Sequence, residues 1–186
     1  MQVDPSEIGV ERILFATSEM EARGTNEYVV QLAKELKSRG GQVGVFCAPG
    51  PMLKVLAEEE IDTEVFPRLG RFEVWPAERK RFAAELKEFE PDIVHAQTIG
   101  VVKWLSRLRG EVSASFALTL HAPSNKDRAS QSVLDVLGGI IATSQNVRAE
   151  LVNRCDVEKE KIDVIPNGID ISALKAREIR PIFAEA

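Results

Sequence analysis

The sequence predicts an α/β fold: an open, mostly parallel sheet of about seven strands with helices on both faces. Short apolar runs alternate along the chain with segments whose apolar residues recur at helical spacing, and parallel neighbours in a sheet need such crossovers. Glycines and prolines fall between the runs, as at Gly40-Gly41, Pro51 and Pro91. The 186 residues suit one domain with a substantial core, and an apolar fraction of 44% with 28% charged residues is that of a globular chain.

The first strand is Arg12 to Thr17 (RILFAT). A polar loop leads from it into a helix with Val29, Leu32, Ala33 and Leu36 on one face, stopped by Gly40 and Gly41. Gln42 to Ala48 is the next strand, and Pro51 suits the first turn of a short helix through Met52, Leu53, Val55 and Leu56. Ile61 to Phe66 follows as a strand. A charged helix from Pro76 to Phe89 turns Phe82, Leu86 and Phe89 inward and ends before Pro91. Then come DIVHAQ as strand, a helix with Val101, Leu105 and Leu108 inward, FALTLHA as strand, and a short helix carrying Val133 and Leu137. Gly138 and Gly139 punctuate. Gly139 to Thr143 makes a further strand, Ser144 caps the helix of Val147, Leu151 and Val152, and Ile162 to Ile165 is the last strand.

Both histidines close strand-like runs, in DIVHAQ (Asp92 to Gln97) and FALTLHAP (Phe116 to Pro123), and a third run ends as DVIPNGID (Asp163 to Asp170). Polar groups just beyond the carboxyl ends of parallel strands line the ligand crevice of such a sheet, so the imidazoles are candidates for one site. A histidine there suits a sugar hydroxyl or a phosphate, and equally a neighbouring carbonyl. His121 has Thr119, Ser124 and Asn125 around it in sequence; neither histidine has the partners of a metal site. Asn167-Gly168 reads as a turn at positive φ. The loop Ser18 to Asn26 holds the single glycine Gly24, which is a turn residue or the place where an anion meets helix-start amides. It lacks both the G-x-G-x-x-G fingerprint of dinucleotide sites and the lysine-bearing phosphate loop of nucleotide hydrolases.

Composition narrows the partners. With 24 basic and 29 acidic residues the net charge is -5, which opposes a broad nucleic-acid footprint. Cys47 and Cys155 lack metal-ligand spacing and point to a reduced, cytoplasmic protein. No apolar stretch reaches the roughly 20 residues of a membrane-spanning helix, and MQVDPSEIGVER is not built as a signal peptide. The basic run Arg79, Lys80 and Arg81 is a solvated helix face or a contact for phosphate or anionic lipid, and Trp75 beside it keeps peripheral membrane contact in view.

The segments GTNEYVVQLAKELKSRGGQV, PDIVHAQT, LTLHAP, IIATSQNVRAELV and KIDVIPNGID occur in an order and spacing that resemble the N-terminal domain of family 4 glycosyltransferases. These are retaining enzymes with two facing Rossmann-like domains, the GT-B architecture. The resemblance implies a Rossmann-like acceptor-side domain over residues 1–170, a linker or tail over 171–186, and a C-terminal donor-binding domain absent from the sequence. It implies that Gly24 and Thr25 lie near the donor phosphates and that His121 positions or polarises groups near the transferred sugar. His95 and Gln97 fall on the acceptor side, and Asn167 and Gly168 near the interdomain hinge. No metal and no cofactor are implied beyond the nucleotide-sugar donor; the acceptor expected is a sugar or a lipid-linked acceptor, and the expected location is the cytoplasm or the inner membrane surface.

One departure bears on the first loop: the family commonly pairs two glycines before the helix, where this sequence has Arg23-Gly24-Thr25-Asn26. Without a donor domain the chain is expected not to turn over a nucleotide sugar alone. The alternative is a stand-alone binding or assembly module of the same fold, with a partner or a second copy on the face a donor domain would occupy. A dehydrogenase is opposed by the missing glycine fingerprint.

Overall fold

The computed structural model describes residues 12–21, 24–71, 75–122 and 130–168. Among these, the strands are β1 (Arg12–Thr17), β2 (Gln42–Cys47), β3 (Asp62–Val65), β4 (Ile93–Ala96), β5 (Ser115–Leu120), β6 (Leu137–Ala142) and β7 (Ile162–Val164). Between them lie the helices α1 (Gly24–Ser38), α2 (Leu53–Glu58), α3 (Pro76–Phe89), α4 (Ile99–Ser106), α5 (Gln131–Leu134) and α6 (Gln145–Cys155).

The strands make one seven-stranded sheet in the order β3-β2-β1-β4-β5-β6-β7, every pairing parallel. The chain builds outward from β1 to β3 and then returns to lay β4 on the other side of β1. The reversal of winding between β1 and β4 leaves a crevice at their carboxyl ends.

Strand side chains alternate between the faces, and the sheet is apolar on both, as a parallel sheet buried between helix layers must be. Leu14 and Ala16 of β1 and Val94 and Ala96 of β4 join the core that holds Phe82 and Leu86 of α3, Trp104 and Leu105 of α4, and Leu151 of α6. Phe15 of β1 and Val43 and Val45 of β2 face the other way, onto Val29, Val30 and Ala33 of α1 and Leu56 of α2. Trp104 is 1% exposed and sits edge-on to Phe82, with centroids 5.8 Å apart.

Local chemistry sets the helix ends. Pro76 occupies the first turn of α3, where its missing N–H has no intrahelical partner to lose. Thr98 and Ser144 cap α4 and α6 by accepting from Val101 N and Val147 N at 3.3 and 3.2 Å. After α1, Gly40 takes φ of 89° and Gly41 N returns to Leu36 O at 3.1 Å, a closure that glycine permits at no steric cost.

Most sequence-derived elements are present, with ends moved by a residue or a few. The exception is Leu137, read from sequence as a helix residue. It opens β6, and Gly138 and Gly139 lie inside that strand, so α5 is a single turn ending at Leu134. The pairing of β5 with β6 shifts register between Phe116 and Ala117, beside these glycines, so their flexibility serves an irregular strand and not a helix stop. The tail 171–186 and the sequence neighbours Ser124 and Asn125 lie outside the described residues.

Candidate functional site

The crevice is built by strand alternation. With Leu14 and Ala16 committed to one core, Phe15 and Thr17 point to the α1 side, and so do their neighbours His95 on β4 and Thr119 on β5. Phe15 and His95 are paired residues whose ring centroids lie 5.5 Å apart. His95 Nε2 is 2.7 Å from Thr119 Oγ1. One pleat further along the same strands, beyond their ends, Gln97 Oε1 lies 2.9 Å from His121 Nε2. The two contacts are successive rungs between β4 and β5, and both join residues 24 apart in sequence.

The bonds around Gln97 and His121 define the imidazole. An amide oxygen only accepts, so His121 Nε2 carries the proton; its Nδ1 then accepts from Asn167 Nδ2, 3.4 Å away. Gln97 Nε2 donates to the His95 carbonyl at 3.3 Å, and Thr143 Oγ1 donates to the His121 carbonyl at 3.0 Å. Burial, and secondarily the charge of His121, lowers the pKa of His95 from 6.5 to about 4. Burial also lowers that of His121. At neutral pH both rings are therefore uncharged, able to donate one hydrogen bond and accept one.

Tyr28 from the second turn of α1 closes the cluster. Its ring stands edge-on to His121 with centroids 4.9 Å apart, and burial raises its pKa while a hydrogen bond with Thr119 opposes that rise. Tyr28 escapes a reading by helical periodicity because it lies outside the inward apolar stripe of Val29, Leu32, Ala33 and Leu36. The signal was present in an aromatic hydroxyl directly before Val29 on a helix that starts at the crevice.

The rim is held by polar ties and close backbone approach. Buried Asn26 donates from Nδ2 to Glu21 O at 2.8 Å, and Thr17 Oγ1 donates to Glu19 O at 3.1 Å, so the loop after β1 is tied to both the strand and the first turn of α1. The loop after β3 runs across the ends of β2 and β1 to α4: Phe66 N bonds Cys47 O at 2.8 Å, and Trp104 Nε1 donates to Arg71 O at 3.1 Å. A Cβ added at Gly70 would fall 2.4 Å from Ser18 Cβ, and one at Gly100 would fall 2.2 Å from Gly70 O. At Gly24 it would meet nothing within 4 Å. The first two glycines serve packing, whereas Gly24 leaves open space at the start of α1.

The structure thus brings His95, Gln97, His121 and Asn167 into one cluster. His95 is 9% and Gln97 2% exposed, so both form its floor, while His121 is half-buried. Gly24 and Thr25 form the first turn of α1, exposed and half-buried respectively. The predicted positive-φ turn at Asn167-Gly168 is not formed: neither residue has φ in the left-handed region. The chain instead runs on extended from β7, with Ile165 N bonding Ala142 O at 3.0 Å, back toward His121 and Tyr28. Of the basic run, Arg79 pairs with Glu111 at 2.8 Å and Arg81 with Glu64 at 3.2 Å. Trp75 is 52% exposed, with the Arg68 guanidinium 3.9 Å over its ring. Among the described residues no helix is long and apolar enough to cross a membrane.

A parallel sheet with this switch point and polar groups gathered past β4 and β5 is the Rossmann-like half of a GT-B architecture, and the chain belongs to glycosyltransferase family 4, whose pattern it matches over residues 22–173. Among solved structures it is similar to Anabaena HepE in complex with UDP, at a TM-score of 0.69 and 21% identity over 87% of this chain and 45% of that one. A glycosyltransferase from Rickettsia africae gives 0.67 and 22% over 87% and 44%, and Acinetobacter baumannii MurG gives 0.59 and 15% over 88% and 47%. The chain therefore spans about half the length of these proteins. No curated protein sequence matches it.

Proposed function

We propose that this chain is the acceptor-side half of a retaining GT-B glycosyltransferase that moves a sugar from a nucleotide-sugar donor, its partner half binding the donor. The observation that carries the reading is the Gln97–His121 contact of 2.9 Å at the carboxyl edge of the sheet, which holds a neutral, half-buried imidazole at the crevice. In this reading Gln97 holds His121 Nε2 from beneath, and a hydroxyl of the transferred sugar takes the place of Asn167, 3.4 Å away, as donor to His121 Nδ1. The open first turn of α1 at Gly24 and Thr25 supplies backbone amides and dipole toward the leaving phosphates. Glycosyl transfer needs developing phosphate charge to be stabilised and the acceptor hydroxyl to be held at attack distance, and such an edge can serve both. Asn167 and Gly168, next to His121 and Tyr28, are the point from which a second domain would be hinged.

The related HepE structures contain UDP or UDP-glucose, so UDP-sugars are the first donors to try. The test joins residues 1–186 to a donor-side domain and measures transfer from a panel of nucleotide sugars. His121→Ala should lower turnover at least tenfold, and unchanged turnover removes the role given to His121. The chain by itself should give no transfer; a stable dimer or partner complex of the isolated chain, with no transfer in the joined protein, would favour the binding-module alternative. Exposed Trp75 under Arg68 supports peripheral membrane contact, which co-sedimentation with anionic vesicles checks.

A further inference from the structure

The chain that leaves β7 crosses the strand ends and touches the histidine cluster on its way out. Ile165 N bonds Ala142 O at 3.0 Å, which holds the first residue after β7 to the end of β6. Pro166 follows, with φ fixed by its ring and no N–H to pair. Asn167 then reaches His121, just beyond β5, with Nδ2 3.4 Å from His121 Nδ1. Thr143, just beyond β6, donates from Oγ1 to the His121 carbonyl at 3.0 Å. The main chain of His121 is thus held by one neighbour and its ring capped by another.

The direction of the cap is set from below. Gln97 gives its Nε2 to the His95 carbonyl at 3.3 Å, which turns Oε1 to His121 Nε2 at 2.9 Å and keeps the proton on that nitrogen. Nδ1 is then the acceptor left on the imidazole, and the side-chain amide of Asn167 covers it. Asn167 is exposed, and Gly168 beside it borders the same groove as Tyr28. A long hydrogen bond at an exposed position is weak, which suits an occupant that has to leave.

We propose that Asn167 is a tether that the transferred sugar displaces: it occupies the accepting nitrogen of His121 in the empty site, and a hydroxyl that takes this nitrogen releases the segment at Asn167 and Gly168. The proposal rests on the glycosyl-transfer reading, in which that segment leads to the donor-side half. The tether lowers the affinity of the site for the sugar according to the fraction of molecules in which Nδ1 is covered, and sugar binding loosens the segment by the same free energy. Occupancy of the crevice is in this way reported to the second half through a single side chain.

The experiment has two arms. In the 186-residue chain, without sugar or nucleotide, nitrogen-15 relaxation reads the order of the Gly168 amide. Its order parameter should be about 0.8 in the parent and fall below about 0.6 in Asn167→Ala. His121→Phe keeps a ring against Tyr28 but offers no acceptor, so it should lower the value equally, and combining the two changes should add nothing. An unchanged methyl spectrum establishes folding; if the phenylalanine variant does not fold, the alanine variant still decides. Equal order of Gly168 in the parent and Asn167→Ala overturns the tether. In the second arm residues 1–186 are joined to a donor-side domain, and the KM is measured for the nucleotide sugar that gives transfer. Removing a tether should lower KM about two- to fivefold, whereas removing a residue that grips the sugar would raise it. A raised or unmoved KM in Asn167→Ala overturns displacement by the sugar. Absence of transfer from every donor in the joined parent counts against the glycosyl-transfer reading, and the first arm then decides the tether alone.

Discussion

Gln97 Oε1 accepts from His121 Nε2 across 2.9 Å, and the same amide donates to the His95 carbonyl, so one buried side chain orders the two histidine-bearing strands. Replacing Gln97 by Glu puts a carboxylate against the imidazole and favours its charged form. The proton affinity of His121 should rise roughly tenfold or more, opposite in sign to the effect of burial. Gln97→Leu leaves both partners without their bonds and should cost about 1–3 kcal/mol in urea denaturation, with His121 still neutral at pH 7. A His121 titration that is the same in the Glu variant and the parent would contradict the contact.

The depressed pKa of His95 predicts acid sensitivity. Its folded value of about 4 lies below the ordinary 6.5, so from pH 6.5 down to about 4 the unfolded chain takes up a proton that the folded one refuses. The stability present in full above pH 6.5 is thus lost as pH falls through that window, by up to about 3 kcal/mol. The lowered pKa of His121 acts in the same direction. Urea midpoints measured between pH 7 and pH 4 should fall, and His95→Gln should flatten the slope even if it lowers the midpoint at pH 7.

Glycines at the crevice separate into two kinds. Gly100→Ala drives a methyl to 2.2 Å from the Gly70 carbonyl and should destabilise the fold by roughly 2 kcal/mol or more. Gly24→Ala meets open space in a helical position and should leave the melting temperature unchanged or raise it, by at most about 1 kcal/mol. In the joined two-domain protein the same Gly24→Ala change should weaken donor affinity, read as a higher KM for the nucleotide sugar. A KM that does not move removes Gly24 from the phosphate site.

Trp104 should dominate the stability of the α3–α4 side. Its indole is 1% exposed against Phe82 and donates to Arg71 O at 3.1 Å. Trp104→Ala should cost about 3–5 kcal/mol, and Trp104→Phe less. In the parent, acrylamide should quench 52%-exposed Trp75 readily and Trp104 hardly at all, a two-component response that Trp104→Phe reduces to one.

Much of this architecture was legible in the sequence because strands and helices carry their own periodicities. The runs around Phe15, Val45 and Val94 are apolar on successive residues, which marks a sheet buried on both faces. Sheet order was not legible locally, since it depends on which strand pairs with β1. Leu137 was misassigned because an apolar residue before two glycines satisfies a helix end and an irregular strand equally well. The histidine cluster was half visible: strand-end position brought out His95, His121 and Gln97, whereas Thr119, two residues beyond the register partner of His95, and Tyr28 against His121 follow from register and helix placement. Asn167 drew notice as a turn residue, yet its place against His121 comes from the extended path after β7.

The tight seating of Gly70 between Ser18 and Gly100 carries an implication for tailoring this protein. A wall assembled from touching main chains admits no new side chain, so altered ligand preference has to be sought on the opposite bank, at the opening of α1 and in whatever flanks His121. Libraries aimed at Gly70 or Gly100 would mainly return molecules that do not fold, while variation at Gly24, Thr25 and Tyr28 would sample recognition on an intact scaffold.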